Sequence, residues 1–469
     1  MTDLIWEDAV GQAEAIRAGT VSAVELLDGY LERIERMDRT IRAFVALDVH
    51  RARSEARRVD ELVAVGAAER LAPFSGVTIS IKDVIDVESL PTTQSCKLLA
   101  INVATGDSPL VARMRDAGFI VLGKSNVPEF CTSMTSSELN GTCRNPWDLD
   151  RTPGGSSGGA AASVAAGLCA VAHGTDGAGS VRVPAAFCGL VGTKPTRGRI
   201  AFDAEDDTSY FGSTVDGILS RSVRDAAATL DVFTGWHDHG RRMSRPAESF
   251  ADGPTPVDAL RIAVTTTPPF GDVEDECGRA AIEAGRLLES LGHEVVEATP
   301  PWEVILEAVF GPLSAPGPGL WVDRDQLDGV EPRNRWLVES SLAMTVVEHA
   351  RYAELVRACA LRFLTFWDDI DVLVSPTSGV LPPSVDWARW DQTRDDHMAT
   401  FASFANFAQP FNLSGQPALT LPLAWSADEG LPIGVQLAAR RGEEATLFGL
   451  AFQLERANPW SDRRPAVTL

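Results

Sequence analysis

Between Thr152 and Arg199, two glycine- and serine-rich segments bracket a helix made almost wholly of small residues. The first segment is Pro153-Gly154-Gly155-Ser156-Ser157-Gly158-Gly159; the helix runs from Ala160 to Ala166, and Gly167 ends it. A short strand, Leu168 to His173, leads into Gly174-Thr175-Asp176-Gly177-Ala178-Gly179-Ser180-Val181-Arg182. A flexible linker would not feed straight into such a helix. A phosphate loop needs GxxxxGK[ST], which does not occur here. Gly154 to Gly158 formally matches GxSxG, but that elbow must follow a strand, and Asn145 to Pro153 cannot form one.

A better reading uses both loops. Consecutive residues after Asp176 can turn several backbone N–H groups into one small space, which is how an oxyanion hole is built. Ser180 sits at the end of this cradle, placed to attack a bound carbonyl, and its hydroxyl needs a base. His173, near the end of a small-residue strand, suits a packed residue. Lys82 is the other candidate. Val77, Ile79 and Ile81 alternate with Thr78, Ser80 and Lys82, the pattern of a strand with one apolar and one polar face. A lysine buried at that strand's end has a lowered pKa and can accept a proton at neutral pH.

The rest of the chain frames this unit. The first ~70 residues read as helices; Ser22-Ala23-Val24-Glu25 is a capping box followed by Leu27, Leu31, Ile34 and Met37. A second helix spans Arg51 to Val65. Strands are expected at Phe119 to Leu122, Leu260 to Val264, His293 to Glu297, Val372 to Ser375, Ala418 to Leu421 and Ile433 to Leu437. The helix Glu274 to Leu291 between two of them makes a βαβ unit, hence parallel pairing. A helix from Glu443 to Ala457 closes the chain. The stretches 311–319 and 376–383 read as pocket loops. No internal repeat or long linker appears, so the expectation is one α/β domain with a central sheet.

Composition excludes several functions. Lys and Arg number 42 against 65 Asp and Glu, a net charge of −23. This argues against a general phosphate- or nucleic-acid-binding surface. The seven cysteines are scattered without CxxC spacing, so neither a zinc site nor a redox pair is signalled. His237-Asp238-His239 is at most a weak metal candidate. The start, Met1-Thr2-Asp3-Leu4-Ile5-Trp6-Glu7-Asp8, is acidic, unlike a secretory signal. The weakly polar run Gly159 to Ala172 is shorter than the ~18 residues that span a bilayer. A cytoplasmic protein is expected.

The motifs resemble the amidase signature family of serine hydrolases. The matching residues are Gly76 to Asp83, Gly154 to Gly159, Gly174 to Ala185, Gly192 to Arg199 and Gly415 to Pro422. The resemblance covers nearly the whole chain. It implies an α/β fold with a central mixed, twisted β-sheet flanked by helices on both faces. The single domain, 1–469, then comprises an N-terminal helical layer (1–70), the catalytic signature region (71–200) and the remaining sheet and pocket loops (201–469).

The resemblance also implies a Ser–cisSer–Lys triad, with Ser180 as nucleophile, Ser156 as bridging serine on a cis bond to Gly155, and Lys82 as base. Gly177, Ala178, Gly179 and Ser180 would hold the oxyanion through their N–H groups. Ser157, Asp176 and Arg182 would support the site, and Cys131 would line it beside the acyl carbonyl. No cofactor or metal is implied. Two departures stand out: the family usually has glycine where this chain has Ala178, and proline where it has Thr78.

The implied activity is hydrolysis of aryl amides or oligoamides, with carbamates and esters as further substrates, by a monomer or homodimer acting with water. One alternative is the glutaminase subunit of a tRNA-dependent amidotransferase. Val183 and Arg197 disfavour it, since that branch typically has glutamine and tyrosine there. Another is an esterase with Ser156 as nucleophile and His349 or His397 as base.

Overall fold

The computed structural model describes residues 4–200, 212–234, 249–251, 257, 259–309 and 317–466. In chain order its strands are β1 (Phe44–Leu47), β2 (Thr78–Lys82), β3 (Ile120–Ser125), β4 (Ser136–Ser137), β5 (Gly141–Thr142), β6 (Val171–Asp176) and β7 (Val191–Lys194). These are followed by β8 (Val215–Ser220), β9 (Arg261–Val264), β10 (Glu294–Glu297), β11 (Val372–Pro376), β12 (Ala418–Trp425) and β13 (Pro432–Ala439). The strands β4 and β5 form a small ribbon. The others make one 11-stranded sheet in the order β1-β3-β2-β6-β8-β7-β12-β13-β11-β9-β10.

The sheet is mixed, as expected, and flanked by helices. β3, β2 and β6 run parallel, so Ser125, Lys82 and Asp176 end their strands at the same end of the sheet. β8 returns antiparallel beside β6, and β7, antiparallel to β8, runs in the direction of β6 again. The predicted βαβ unit is present: helix Asp275–Ser290 joins β9 to β10, which pair in parallel. The other expected strands and the helix Glu444–Ala457 also form, several a few residues longer than expected.

Two expectations change. The first ~70 residues are not purely helical, because β1 interrupts them and pairs with β3 at the sheet's edge. Helix Ala23–Ile41, capped by the expected box, ends just before it. All five residues of β2 are buried, the polar face included, and Ser80 Oγ lies 3.1 Å from Ser163 Oγ. The strand before the second glycine loop begins later than expected and continues through Gly174 and Thr175 to Asp176. Pairing with β8 extends it, because a ladder supplies the hydrogen bonds that glycine's weak β-propensity does not. The His237–His239 segment lies outside the described residues.

Candidate active site

The strand β2 delivers Lys82 into the interior with no exposure at all. Its Nζ lies 2.7 Å from Ser156 Oγ, 2.7 Å from Thr175 Oγ1 and 3.2 Å from the Thr175 carbonyl oxygen. No carboxylate forms an ion pair with it among the described residues. Burial pushes the amine's pKa down, while the Cys131 thiol and the Asp176 and Asp216 charges oppose this in part. Asp83, next in sequence, faces away as alternation along a strand requires. Its carboxylate is taken by the buried Lys124 at 2.9 Å and by Thr93.

A neutral amine has two N–H donors and one lone pair. The Thr175 carbonyl can only accept. With Thr175 Oγ1 accepting the other N–H, the lone pair faces the Ser156 hydroxyl. Thr175 went unassigned in the sequence because its role depends on the pairing that extends β6.

Ser156 follows a cis peptide bond from Gly155 and is almost wholly buried. A side chain at 155 is excluded, since an added Cβ would lie 2.1 Å from the Ser133 carbonyl oxygen. Ser157 Oγ donates to the Thr175 carbonyl at 3.2 Å, and Ser157 N donates to the Ser180 carbonyl at 3.1 Å. The two glycine loops are thereby tied together. Ser180 itself is half-buried, and its Oγ makes no hydrogen bond among the described residues. The structure therefore joins Lys82 to Ser156 directly, and Ser180 to this pair through backbone.

The loop after β6 is shaped by one carboxylate. Asp176 accepts from Gly179 N at 2.7 Å, Val181 N at 3.2 Å and Arg182 N at 3.4 Å. Gly179 takes φ +108°, and a Cβ there would stand 2.6 Å from that of Ala408. This corrects one expectation: the Gly179 N–H is turned inward to Asp176 and is not available to an oxyanion. The N–H groups of Gly177, Ala178 and Ser180 make no hydrogen bond among the described residues and remain for that role. Ala178 keeps its donor, and its side chain joins a cluster with Met134, Phe187, Phe401 and Phe404.

Arg182 is fully buried beneath the loop. Its Nη2 and Nε grip Asp176 at 2.8 and 2.9 Å, and Nη1 donates to the Ala408 carbonyl at 2.8 Å and Gln436 Oε1 at 2.6 Å. Nη2 also reaches Asn412 Oδ1 at 2.6 Å. Burial alone would raise the Asp176 pKa; the charge and hydrogen bonds of Arg182 overcome this and hold it well below the usual carboxylate range. Asn412 and Gln436 lie more than two hundred residues away in the chain, so local motifs gave no sign of them.

Cys131 is half-buried and left-handed (φ 60°), close enough to Lys82 to favour its ammonium form. Of the alternative bases, His397 lies in helix Arg394–Phe404, where burial and then Arg333 push its pKa down to about 3. Ser156 Oγ is bonded to lysine, not histidine, and no strand precedes it in 145–153.

Comparison with known proteins agrees with this architecture. The family model described as Amidase matches residues 25–315 and 325–448. A "Putative amidase AmiB2" of Mycobacterium tuberculosis is 38% identical over 100% of this chain and 99% of its own length. A 6-aminohexanoate-cyclic-dimer hydrolase of Pseudomonas sp. is 38% identical over 99% of this chain and 97% of its own. The solved structure of a 6-aminohexanoate cyclic dimer hydrolase complexed with substrate superposes with a TM-score of 0.90 at 34% identity, covering 98% of this chain and 99% of that one.

Proposed function

The chain belongs to the amidase family and is a hydrolase of non-peptide C–N amide bonds, and from that premise we propose that it works through an acyl-enzyme on Ser180, with Ser156 as proton bridge and Lys82 as base. The observation that carries this reading is the 2.7 Å contact between Lys82 Nζ and Ser156 Oγ at a wholly buried amine. A lysine deprived of water and of a carboxylate partner is the kind that can be neutral near physiological pH.

In this mechanism Ser156 gives its proton to Lys82 while taking one from Ser180, whose Oγ attacks the amide carbon. The oxyanion is met by the N–H groups of Gly177, Ala178 and Ser180. Each such donor is worth roughly a hundred- to a thousandfold in kcat. As the intermediate collapses, Lys82 returns its proton through Ser156 to the leaving nitrogen. Water repeats the sequence in reverse and frees the acid. No step calls for a cofactor or metal. Ser157, Asp176 and Arg182 hold the two loops and do not exchange protons.

The substrate class is a small neutral amide, either an aryl amide or an oligoamide like that named for the cyclic-dimer hydrolases. Carbamates and esters present the same carbonyl to the same donors and are secondary substrates. Ser180→Ala should abolish turnover of an aryl anilide, and a fluorophosphonate should label the wild type at Ser180 alone. Label on Ser156 with none on Ser180 would replace this mechanism with the elbow-type esterase. Glutamine hydrolysis dependent on a co-purifying subunit would replace it with the amidotransferase.

A further inference from the structure

The ladder between β2 and β6 stops one step before it is most needed. Its last partners are Ile79 with Val171 and Ser80 with Ala172. Beyond them β2 parts from β6, and the Lys82 side chain enters the gap to reach Thr175. The Lys82 N–H points to the β6 side, as that of Ser80 does, but finds no carbonyl there. It donates instead to His173 Nδ1 at 3.4 Å.

The imidazole is itself fixed. Its Nε2 lies 2.8 Å from Asp216 Oδ1, both residues being buried, and its ring packs against Phe233 with centroids 6.2 Å apart. Asp216 sits on β8 opposite Thr175, so His173, Thr175 and Asp216 share one face of the sheet. A ring that accepts at Nδ1 must carry its proton on Nε2, and the Asp216 carboxylate is the acceptor that holds this tautomer.

Building on the Lys82 mechanism above, we propose that His173 is a positioning residue for the base: held by Asp216, its imidazole replaces the missing ladder bond and fixes the Lys82 backbone where the amine meets Ser156 and Thr175. An apolar ring could fill the same space but would leave the Lys82 N–H buried and unpaired, which a strand end can relieve only by moving. The groups facing the Lys82 amine are the Cys131 thiol from the turn Glu129–Cys131, Asp176 at the end of β6, already paired with Arg182, and Asp216 from β8. Asp83 is engaged by Lys124 of β3.

The test is steady-state kinetics on an aryl anilide across pH, with melting curves, for His173→Phe, His173→Gln, Asp216→Asn and Lys82→Ala. In His173→Phe, kcat should fall up to roughly 100-fold, the scale for misplacing a reacting group, with KM unchanged and the loss larger than any lowered melting accounts for. His173→Gln should recover part of the loss, because its amide oxygen can accept from the Lys82 N–H. Asp216→Asn keeps an acceptor but removes a charge that favours the ammonium, so the rising limb of the pH–rate profile should move lower. The inference is overturned if folded His173→Phe has wild-type kcat and pH profile, or if its loss merely tracks melting and His173→Gln is no better. An unmoved limb in Asp216→Asn also overturns it. Should His173→Phe not fold, His173→Gln and Asp216→Asn decide. Retained activity in Lys82→Ala would instead sink the triad itself.

Discussion

The sharpest energetic test lies at Arg182. Replacing it by methionine fills much of the same volume but deletes the guanidinium. Asp176 then keeps its backbone donors and Asn412 Nδ2 at 3.0 Å but loses its contact cation. The Ala408 carbonyl and Gln436 Oε1 each lose a donor. Breaking a buried ion pair from one side costs about 3–5 kcal/mol. That should appear as a lowered urea midpoint at pH 8.

The pH dependence makes this specific. In the wild type the folded Asp176 pKa is depressed, so its contribution is fully present above the unfolded value of about 3.9 and is lost only as pH falls through the folded one. In Arg182→Met, burial is no longer outweighed, so the folded pKa rises above the unfolded value and the carboxyl takes a proton on acidification. The stability gap should therefore shrink between pH 8 and pH 5, by about 1.4 kcal/mol for each unit that the new pKa exceeds 5. Arg182→Lys, which restores charge without the fork, should fall between the two. A deficit below about 1 kcal/mol at pH 8, or one equal at both pH values, would refute this account of the loop.

Other outcomes follow from the same contacts. Because burial lowers the Lys82 pKa, the rate should rise with pH through the lowered value and then level off; Lys82→Ala should lose most activity and Lys82→Arg should not restore it, as a pH–rate series would show. Thr175→Val removes one of the two N–H acceptors of the amine and should cut kcat about tenfold with KM held, whereas Thr175→Ser should be near wild type. Gly179→Ala forces a left-handed backbone on alanine and a 2.6 Å approach to Ala408; a melting deficit of about 1–3 kcal/mol with a larger loss in kcat is expected.

What could be read in advance was whatever is local in sequence. The capping box at Ser22 formed, with both of its hydrogen bonds, because its parts lie three residues apart. The alternation from Val77 to Lys82 placed Lys82 at a strand end and turned Asp83 away. The burial of its whole polar face was not legible, because periodicity records polarity and not depth. The strand β1 was hidden because Phe44-Val45-Ala46-Leu47 has no alternation and is too short to contradict its helical neighbours. Gly179 looked like an oxyanion donor because backbone N–H groups carry no sequence label; the Asp176 carboxylate decides where each points. Thr175, His173, Asp216, Asn412 and Gln436 act across paired strands or between distant segments, and nothing in one chain's spacing links them.

Two lysines in adjacent strands show what the sheet contributes to the chemistry. Lys82 on β2 and Lys124 on β3 are both wholly buried, and Lys124 pairs in register with Ile81, the residue before Lys82. Burial lowers the pKa of each amine. Composition and depth therefore cannot tell them apart. Their partners can: Lys124 holds the Asp83 carboxylate at 2.9 Å, a contact that favours the ammonium and makes it a structural ion pair. Among the described residues, the close hydrogen-bond partners of Lys82 Nζ are a carbonyl and two hydroxyls, which solvate an amine without requiring it to be charged. By engaging Asp83, Lys124 also keeps that carboxylate from favouring the charged form of Lys82. On the proposed mechanism, the same pairing that stabilises the sheet leaves Lys82, unlike Lys124, available as a base.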